Sequence, residues 1–223
     1  MNQIPEIQNG ILLIDKPASM TSFGVVARVR RVLSQRAGKK VKVGHTGTLD
    51  PFATGLMILV VGTECRNAGT YTKLDKVYEA TFKIGETSST GDPEGEIMSV
   101  SNQQPTKQEI TEVIESFIGD IQQTPPAYSA IKINGQRAYK LARNGEAVEM
   151  PIRIVTIYSL ELLDYSYPFV KVRAHVSSGT YIRTLGEDIG KKLQTSAYCT
   201  QLRRTQIADF SIEDAVSLPE EIR

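Results

Sequence analysis

The sequence predicts an α+β fold, a mixed and mostly antiparallel sheet flanked by helices. Three observations point there. Runs with strand and helix periodicity do not alternate strictly, several candidate strands follow one another over short connections, and amphipathic stripes stand behind helix-capping residues. Residues 10–14 are an apolar run broken by Asp15-Lys16-Pro17, a strand ending in a turn. Thr21 or Ser22 then caps a helix whose apolar positions Phe23, Val26, Val29, Val32 and Leu33 recur at three and four, leaving Arg28, Arg30, Arg31 and Arg36 to other faces. Residues 38–55 have neither period and are rich in Gly, Thr and Pro, so they read as a loop. Residues 56–61 form a buried strand candidate, and 77–84 hold strand formers with imperfect alternation. Thr106 and Glu109 make a capping-box pattern ahead of Ile110, Val113, Ile114, Phe117 and Ile118, a helix stopped by Gly119.

Further on, residues 128–133 read as a strand with Asn134-Gly135 as its turn, followed by a short helix reaching Asn144-Gly145. Residues 152–163 and 169–176 are strands. In the second, Val170, Val172, Ala174 and Val176 share one face while Lys171, Arg173 and His175 share the other. Ile182, Leu185, Ile189 and Leu193 give 180–193 a helical stripe, 201–210 returns to the sheet, and the last dozen residues read as a frayed or short helix.

A chain of 223 residues with 40% hydrophobic and 23% charged residues buries roughly 70 to 75% of its unfolded surface and needs no disulfide or metal to fold. No apolar run approaches the ~20 residues of a bilayer helix, and the start, Met-Asn-Gln-Ile-Pro-Glu, has no basic or apolar leader region. Cys65 and Cys199 stand far apart without a CxxC pair, which suits the reducing cytoplasm. No break in composition divides the chain, so one domain over 1–223 is expected.

Net charge is +1, but the average hides segregation. Lys16, Arg28, Arg30, Arg31, Arg36, Lys39, Lys40 and Lys42 occupy a stretch without Asp or Glu, and Lys132, Arg137, Lys140 and Arg143 occupy another. Between Glu86 and Asp120 lie eight acids and one base, Lys107. Such a distribution gives one positive side able to steer a phosphate backbone, or merely a solvated helix face.

The segment Gly44-His45-Thr46-Gly47-Thr48-Leu49-Asp50-Pro51-Phe52-Ala53-Thr54-Gly55 carries three glycines, three threonines and one carboxylate. Pro51 restricts Asp50 to an extended conformation. The loop either presents Asp50 to a ligand or closes an ordinary Asx turn. His45 has no second ligand at metal spacing, and the loop lacks the GK[ST] ending of a P-loop.

These residues resemble the bacterial TruB family of tRNA pseudouridine synthases. So do Leu13-Ile14-Asp15-Lys16-Pro17 with Thr21-Ser22, Lys76-Val77-Tyr78-Glu79-Ala80, Thr90-Gly91-Asp92-Pro93-Glu94-Gly95, Pro125-Pro126-Ala127-Tyr128-Ser129-Ala130-Ile131-Lys132, Gly179-Thr180-Tyr181-Ile182-Arg183-Thr184-Leu185 and Leu202-Arg203-Arg204-Thr205, all in the family's order. The resemblance implies the pseudouridine synthase fold and isomerisation of the T-loop uridine, position 55 of tRNA, without metal or other cofactor. It implies a cytoplasmic enzyme acting on the T-arm stem-loop, with no obligate protein partner and as a monomer. Asp50 matches the family's essential aspartate, acting as nucleophile toward sugar or base, or as base at the sugar. Arg183 matches the arginine that pairs with it, favouring the carboxylate form, and Asp92 matches a second acid holding that arginine. Tyr78 matches the residue stacking on the flipped uracil, with Tyr181 and Leu202 as further pocket walls. His45 matches a residue that fills the vacated place in the RNA stack. Lys16, with Pro17, matches a motif packing near the catalytic loop and is placed with the RNA-contacting set. Charge segregation adds Arg30, Arg31, Lys132 and Lys140 to that set.

The chain departs from the family pattern at several points. Relatives commonly carry a C-terminal PUA domain, and none is expected within these 223 residues. Ser19 and Ala208 stand where glycine is usual, and Ser89 where an acid is frequent. Two other readings use the same residues: an RNA-binding or RNA-folding protein in which Asp50 is dispensable, and a sugar hydrolase with Asp50 and Asp92 as paired carboxylates. Arg183 and the basic segments argue against the hydrolase.

Overall fold

The computed structural model describes residues 4–129, 131–133, 135–146 and 149–218, and of Arg143 only the backbone. In chain order its elements are β1 (Gly10–Lys16), α1 (Ser22–Ala37), β2 (Val43–His45), β3 (Thr54–Val61), α2 (Ala68–Thr72), β4 (Lys76–Ile84), β5 (Glu86–Ser88) and β6 (Ile97–Ser99). Then follow α3 (Lys107–Glu115), β7 (Gly119–Gln123), β8 (Lys132–Ile133), β9 (Gln136–Arg137), α4 (Ala138–Arg143), β10 (Arg153–Ser166) and β11 (Phe169–Val176). The last are α5 (Ile182–Lys192), β12 (Ala197–Ile207), β13 (Phe210–Ser211) and β14 (Val216–Ser217). The class is α+β with mixed, mostly antiparallel strand pairing. Two compact units divide the chain, Met1–Tyr78 with Arg203–Arg223, and Glu79–Leu202, their boundaries falling inside β4 and β12.

In the first unit β3 is the organising strand. It pairs antiparallel with β1 from Gly10↔Val61 to Lys16↔Gly55, and its other edge is shared by β2 (His45↔Leu59) and, in parallel, by β12 (Arg203↔Thr54). β14 adds a parallel strand to β1 at Ile14↔Val216. Residues 56–61 are buried without exception, as a continuous apolar run predicts for a strand covered on both faces. Thr21 caps α1, its hydroxyl accepting from Gly24 N–H at 3.0 Å, and Gly38 ends the helix in the left-handed conformation. The buried stripe runs through Ser22, Val25, Val26, Val29, Val32 and Leu33. Phe23, assigned above to that stripe, is 66% exposed, because it lies about 100° around the helix from Ser22, which takes the buried position instead.

In the second unit the strand order is β12, β4, β11, β10, β7. Val170, Val172, Ala174 and Val176 of β11 are fully buried, while Lys171 and Arg173 on its other face pair with Glu79 at 3.4 and 3.1 Å. The capping box of Thr106 and Glu109 is formed in α3. That helix stops at Glu115 rather than at Gly119, so Ile118 is exposed and Gly119 opens β7. α5 buries Arg183, Leu185, Gly186 and Ile189 among others, and a Cβ on Gly186 would collide with the ring of Phe82.

Several expectations are corrected. The loop at 38–55 contains β2, too short for any period to show. The strand expected over 128–133 is reduced to β8, paired with β9, and Asn134 of the expected turn lies outside the described residues. After β13 the described part of the expected terminal helix is one 3-10 turn, Ile212–Asp214, followed by β14, and residues 219–223 lie outside the described residues.

Ser19 and Ala208, where glycine is usual, keep the left-handed backbone at φ 62° and 45°. An alanine there carries about 1–2 kcal/mol of steric strain. Ala208→Gly is therefore expected to raise thermal stability by about 1 kcal/mol, or roughly 2–4 °C in Tm for a chain of this size. A thermal melt showing no rise would contradict this.

Candidate active site

The loop carrying Asp50 is fixed through its main chain. Thr46 N–H and hydroxyl both donate to the Ile58 carbonyl at 3.2 Å. Ser22 Oγ donates to the Leu49 carbonyl and accepts from the Leu49 N–H, each at 2.8 Å. Lys16 Nζ donates to the Pro51 carbonyl at 3.1 Å and to that of Pro17 at 2.9 Å. Ala53 N–H donates to the Asp50 carbonyl at 3.2 Å, closing the turn. Leu49 and Ala53 are buried, and Asp50 between them is half-buried.

Arg204 grips both ends of this loop, Nε donating to Leu56 O at 2.7 Å and Nη2 to Gly47 O at 3.2 Å. Its own backbone passes so close to Gly55 (φ +106°) that any side chain there would collide with the Arg204 carbonyl. Arg204 and Lys16 are both fully buried, at 1% and 0% exposure. Lys16 therefore has no surface to offer RNA, and its placement with the RNA-contacting set is corrected. It underpins the loop next to Asp50. A third buried cation, Lys76, donates to the carbonyls of Thr72 and Leu74, and burial together with the Arg204 charge pushes its pKa down to about 8.

In the second unit Arg183, in the first turn of α5, is 4% exposed. Its Nη1 donates to Asp92 Oδ2 at 3.1 Å and to Thr90 O at 2.6 Å, and its Nη2 to Tyr128 O at 2.8 Å. Asp92 Oδ1 accepts from Thr90 Oγ1 at 2.6 Å and from Glu94 N–H at 3.0 Å. The Arg183–Asp92 pair drawn from the sequence is thus formed and buried. Glu187, one helical turn beyond Arg183, has its carboxyl pKa raised, chiefly by burial. Tyr181 immediately precedes α5 and is held by buried Gln123, whose Oε1 accepts from Tyr181 N–H at 2.7 Å and whose Nε2 donates to Tyr181 O at 3.0 Å. Leu202 is buried on β12.

The other candidates are placed as follows. His45 ends β2, half-buried, and Tyr78 lies on the buried face of β4. Arg30 is half-buried and Arg31 exposed on α1, while Lys132 and Lys140 are exposed on β8 and α4. Among the described residues no cluster of three or more His, Cys, Asp or Glu could hold a metal ion, and no helix is long and apolar enough to cross a membrane.

The sequence profile described as TruB family pseudouridylate synthase (N terminal domain) matches residues 30–182, more than half the chain. The chain belongs to the TruB family. The TruB profile described as tRNA pseudouridylate synthase B C-terminal domain matches 183–220. TruB relatives agree over nearly the whole length. The chain is 44% identical over 218 residues to "tRNA pseudouridine synthase B" of Parabacteroides distasonis, covering 97% of this chain and 92% of that one. It is 43% identical over 212 residues to the protein of the same name from Dechloromonas aromatica, covering 95% and 69%. Among solved structures it matches "Crystal Structure of a Cbf5-Nop10-Gar1 Complex" with TM-score 0.74 and 28% identity, over 96% of this chain and 53% of that chain. It also matches "Structure of H/ACA RNP bound to a substrate RNA containing 2'-deoxyuridine", with TM-score 0.71 and 26% identity, over 96% and 52%. This TruB chain therefore spans about half the length of those two.

Sequence reasoning gave no functional role to four buried polar side chains: Ser22, Lys76, Gln123 and Arg204. Only Arg204 had a usable signal. Strand alternation through an inward Leu202 sends Arg203 out, to pair with Asp15 at 2.8 Å, and Arg204 in.

Proposed function

We propose that this protein isomerises the T-loop uridine of tRNA, position 55, to pseudouridine. The observation that carries the reading is Asp50, presented half-buried on a loop whose backbone is anchored on both sides of it, in a chain of the TruB family. The reaction breaks the bond from N1 to C1′, turns the base, and forms one from C5 to C1′. N1 gains a proton as its bond to C1′ breaks and C5 loses one as its bond to C1′ forms, so no oxidant, reductant or external group is consumed. Asp50 attacks sugar or base, or takes a proton from the sugar. Arg183, oriented by Asp92, supplies the positive charge that favours its ionised form. Flipping the uridine out of the folded RNA costs a few kcal/mol. Stacking on Tyr78, worth roughly 1–3 kcal/mol, offsets it, with Tyr181 and Leu202 as pocket walls and His45 in the vacated place in the stack. The protein works in the cytoplasm as a monomer.

The test is incubation with an unmodified T-arm stem-loop transcript, without added metal or nucleotide, followed by carbodiimide mapping of pseudouridine. Conversion at the T-loop uridine supports the reading. Tight binding with no conversion means a protein that only binds or refolds RNA.

The exposed cations Arg31, Lys132 and Lys140, with Arg30, are assigned to the phosphate backbone. Substituting Arg30, Arg31 and Lys140 together with Gln is expected to weaken stem-loop binding at least tenfold. It should also reduce the slope of log K against log salt by about one for each phosphate these side chains neutralise. Unchanged affinity and slope in a filter-binding titration would place the RNA elsewhere.

A further inference from the structure

We propose that Ser22 is a positioning residue for Asp50. The inference rests on the isomerase reading and adds to it the group that orients the peptide leading into the reactive carboxylate. A serine hydroxyl has one proton to give and lone pairs to accept with. Here the proton goes to the Leu49 carbonyl and a lone pair takes the Leu49 N–H, both at 2.8 Å. The Leu49 carbonyl belongs to the same peptide plane as the Asp50 nitrogen, so Ser22 sets the tilt of that plane. On the other side Pro51 restricts the Asp50 backbone to extended values, and its carbonyl is held by Lys16.

The anchor is itself well supported. Ser22 is the first residue of α1 and is 3% exposed. The turn before it is fixed by the Thr21 cap, and the helix behind it is buried through Val25, Val26 and Val29. Leu49 is equally buried at 3%, so without the hydroxyl its N–H and C=O have no access to water and the loop must shift to satisfy them. A displacement of about 1 Å at a reacting group can cost on the order of a hundredfold in rate while leaving binding intact. The basic residues assigned to the RNA backbone lie outside this arrangement, so substrate affinity should not follow.

The experiment compares kcat and KM for the T-arm stem-loop in wild type, Ser22→Ala, Ser22→Cys and Ser22→Thr, with circular dichroism and thermal melts alongside. Ser22→Ala is expected to lower kcat by 10- to 100-fold with KM within twofold, measured well below its melting temperature. Ser22→Cys keeps the volume but hydrogen-bonds weakly, and should be as slow as Ser22→Ala. Ser22→Thr restores the hydroxyl and should recover kcat to within about threefold. A kcat within twofold of wild type in Ser22→Ala, a defect carried by KM alone, or full activity in Ser22→Cys overturns the proposal. If Ser22→Ala does not fold, Ser22→Cys decides. A wild type that converts no uridine overturns the isomerase reading. A wild type that converts, beside an equally fast Ser22→Ala, overturns only the role of Ser22.

Discussion

Asp50→Asn is expected to abolish pseudouridine formation, lowering kcat by about 10⁴-fold or more, and to leave stem-loop affinity within about twofold. The carboxamide has the shape of the carboxylate but neither its charge nor its basicity, and losses of this order follow when the reacting group itself is removed. The anchors of the loop hold main-chain atoms: Ser22 on Leu49, Lys16 on Pro51, Arg204 on Gly47 and Leu56. Loop geometry should therefore survive, and the variant should melt within a few degrees of wild type. Single-turnover conversion with carbodiimide mapping reads the chemistry, and filter binding reads the affinity. A rate within tenfold of wild type would remove Asp50 from the reaction and return it to the role of a turn residue.

Arg183→Met is the change with the largest expected effect on stability. It leaves the Asp92 carboxylate, 6% exposed at its side chain, without its cation, and strips the donors from Thr90 O and Tyr128 O. Breaking one half of a buried pair costs about 3–5 kcal/mol, because the remaining charge is stranded. For a chain of this size that corresponds to a fall of roughly 10 °C in Tm. Asp92→Asn, in the same background, removes the stranded charge, so the double variant should be more stable than the two single losses sum to. Strict additivity in urea unfolding would show that the two side chains do not act as a pair. On the role proposed for Arg183, conversion should fall in both single variants.

Legibility in the sequence follows the number of residues that share a pattern. The alternation of β11, the unbroken apolar run of β3 and the Thr106 capping box each involve enough positions to stand out, and each is present in the fold. β2, β5, β6 and β8 are two or three residues long, and β7 is a polar five-residue segment, so no period could reveal them. The α1 stripe reads most naturally from its bulkiest apolar residue, Phe23, but its phase is set by Ser22, whose burial depends on a hydrogen bond to a loop 27 positions away. The same limit applies at the site. Asp50, Asp92 and Arg183 are legible through motifs, whereas Gln123 and Lys76 look like ordinary surface side chains until tertiary contacts bury them. Lys16 belongs to the expected motif but lies on the inner side of the surface rather than the outer.

The buried cations bear on how the protein chooses among nucleic acids. Lys16, Lys76, Arg183 and Arg204 are withdrawn from solvent against a single carboxylate, Asp92, among the described residues. Charge inside the protein still adds to the field felt at a distance, but it cannot touch a phosphate or displace a counterion. With a formula charge of only +1, the groups able to meet RNA directly are no more cationic than anionic. All four donate instead to main-chain carbonyls, so charge that could have gripped a polyanion is used to brace the protein's own backbone.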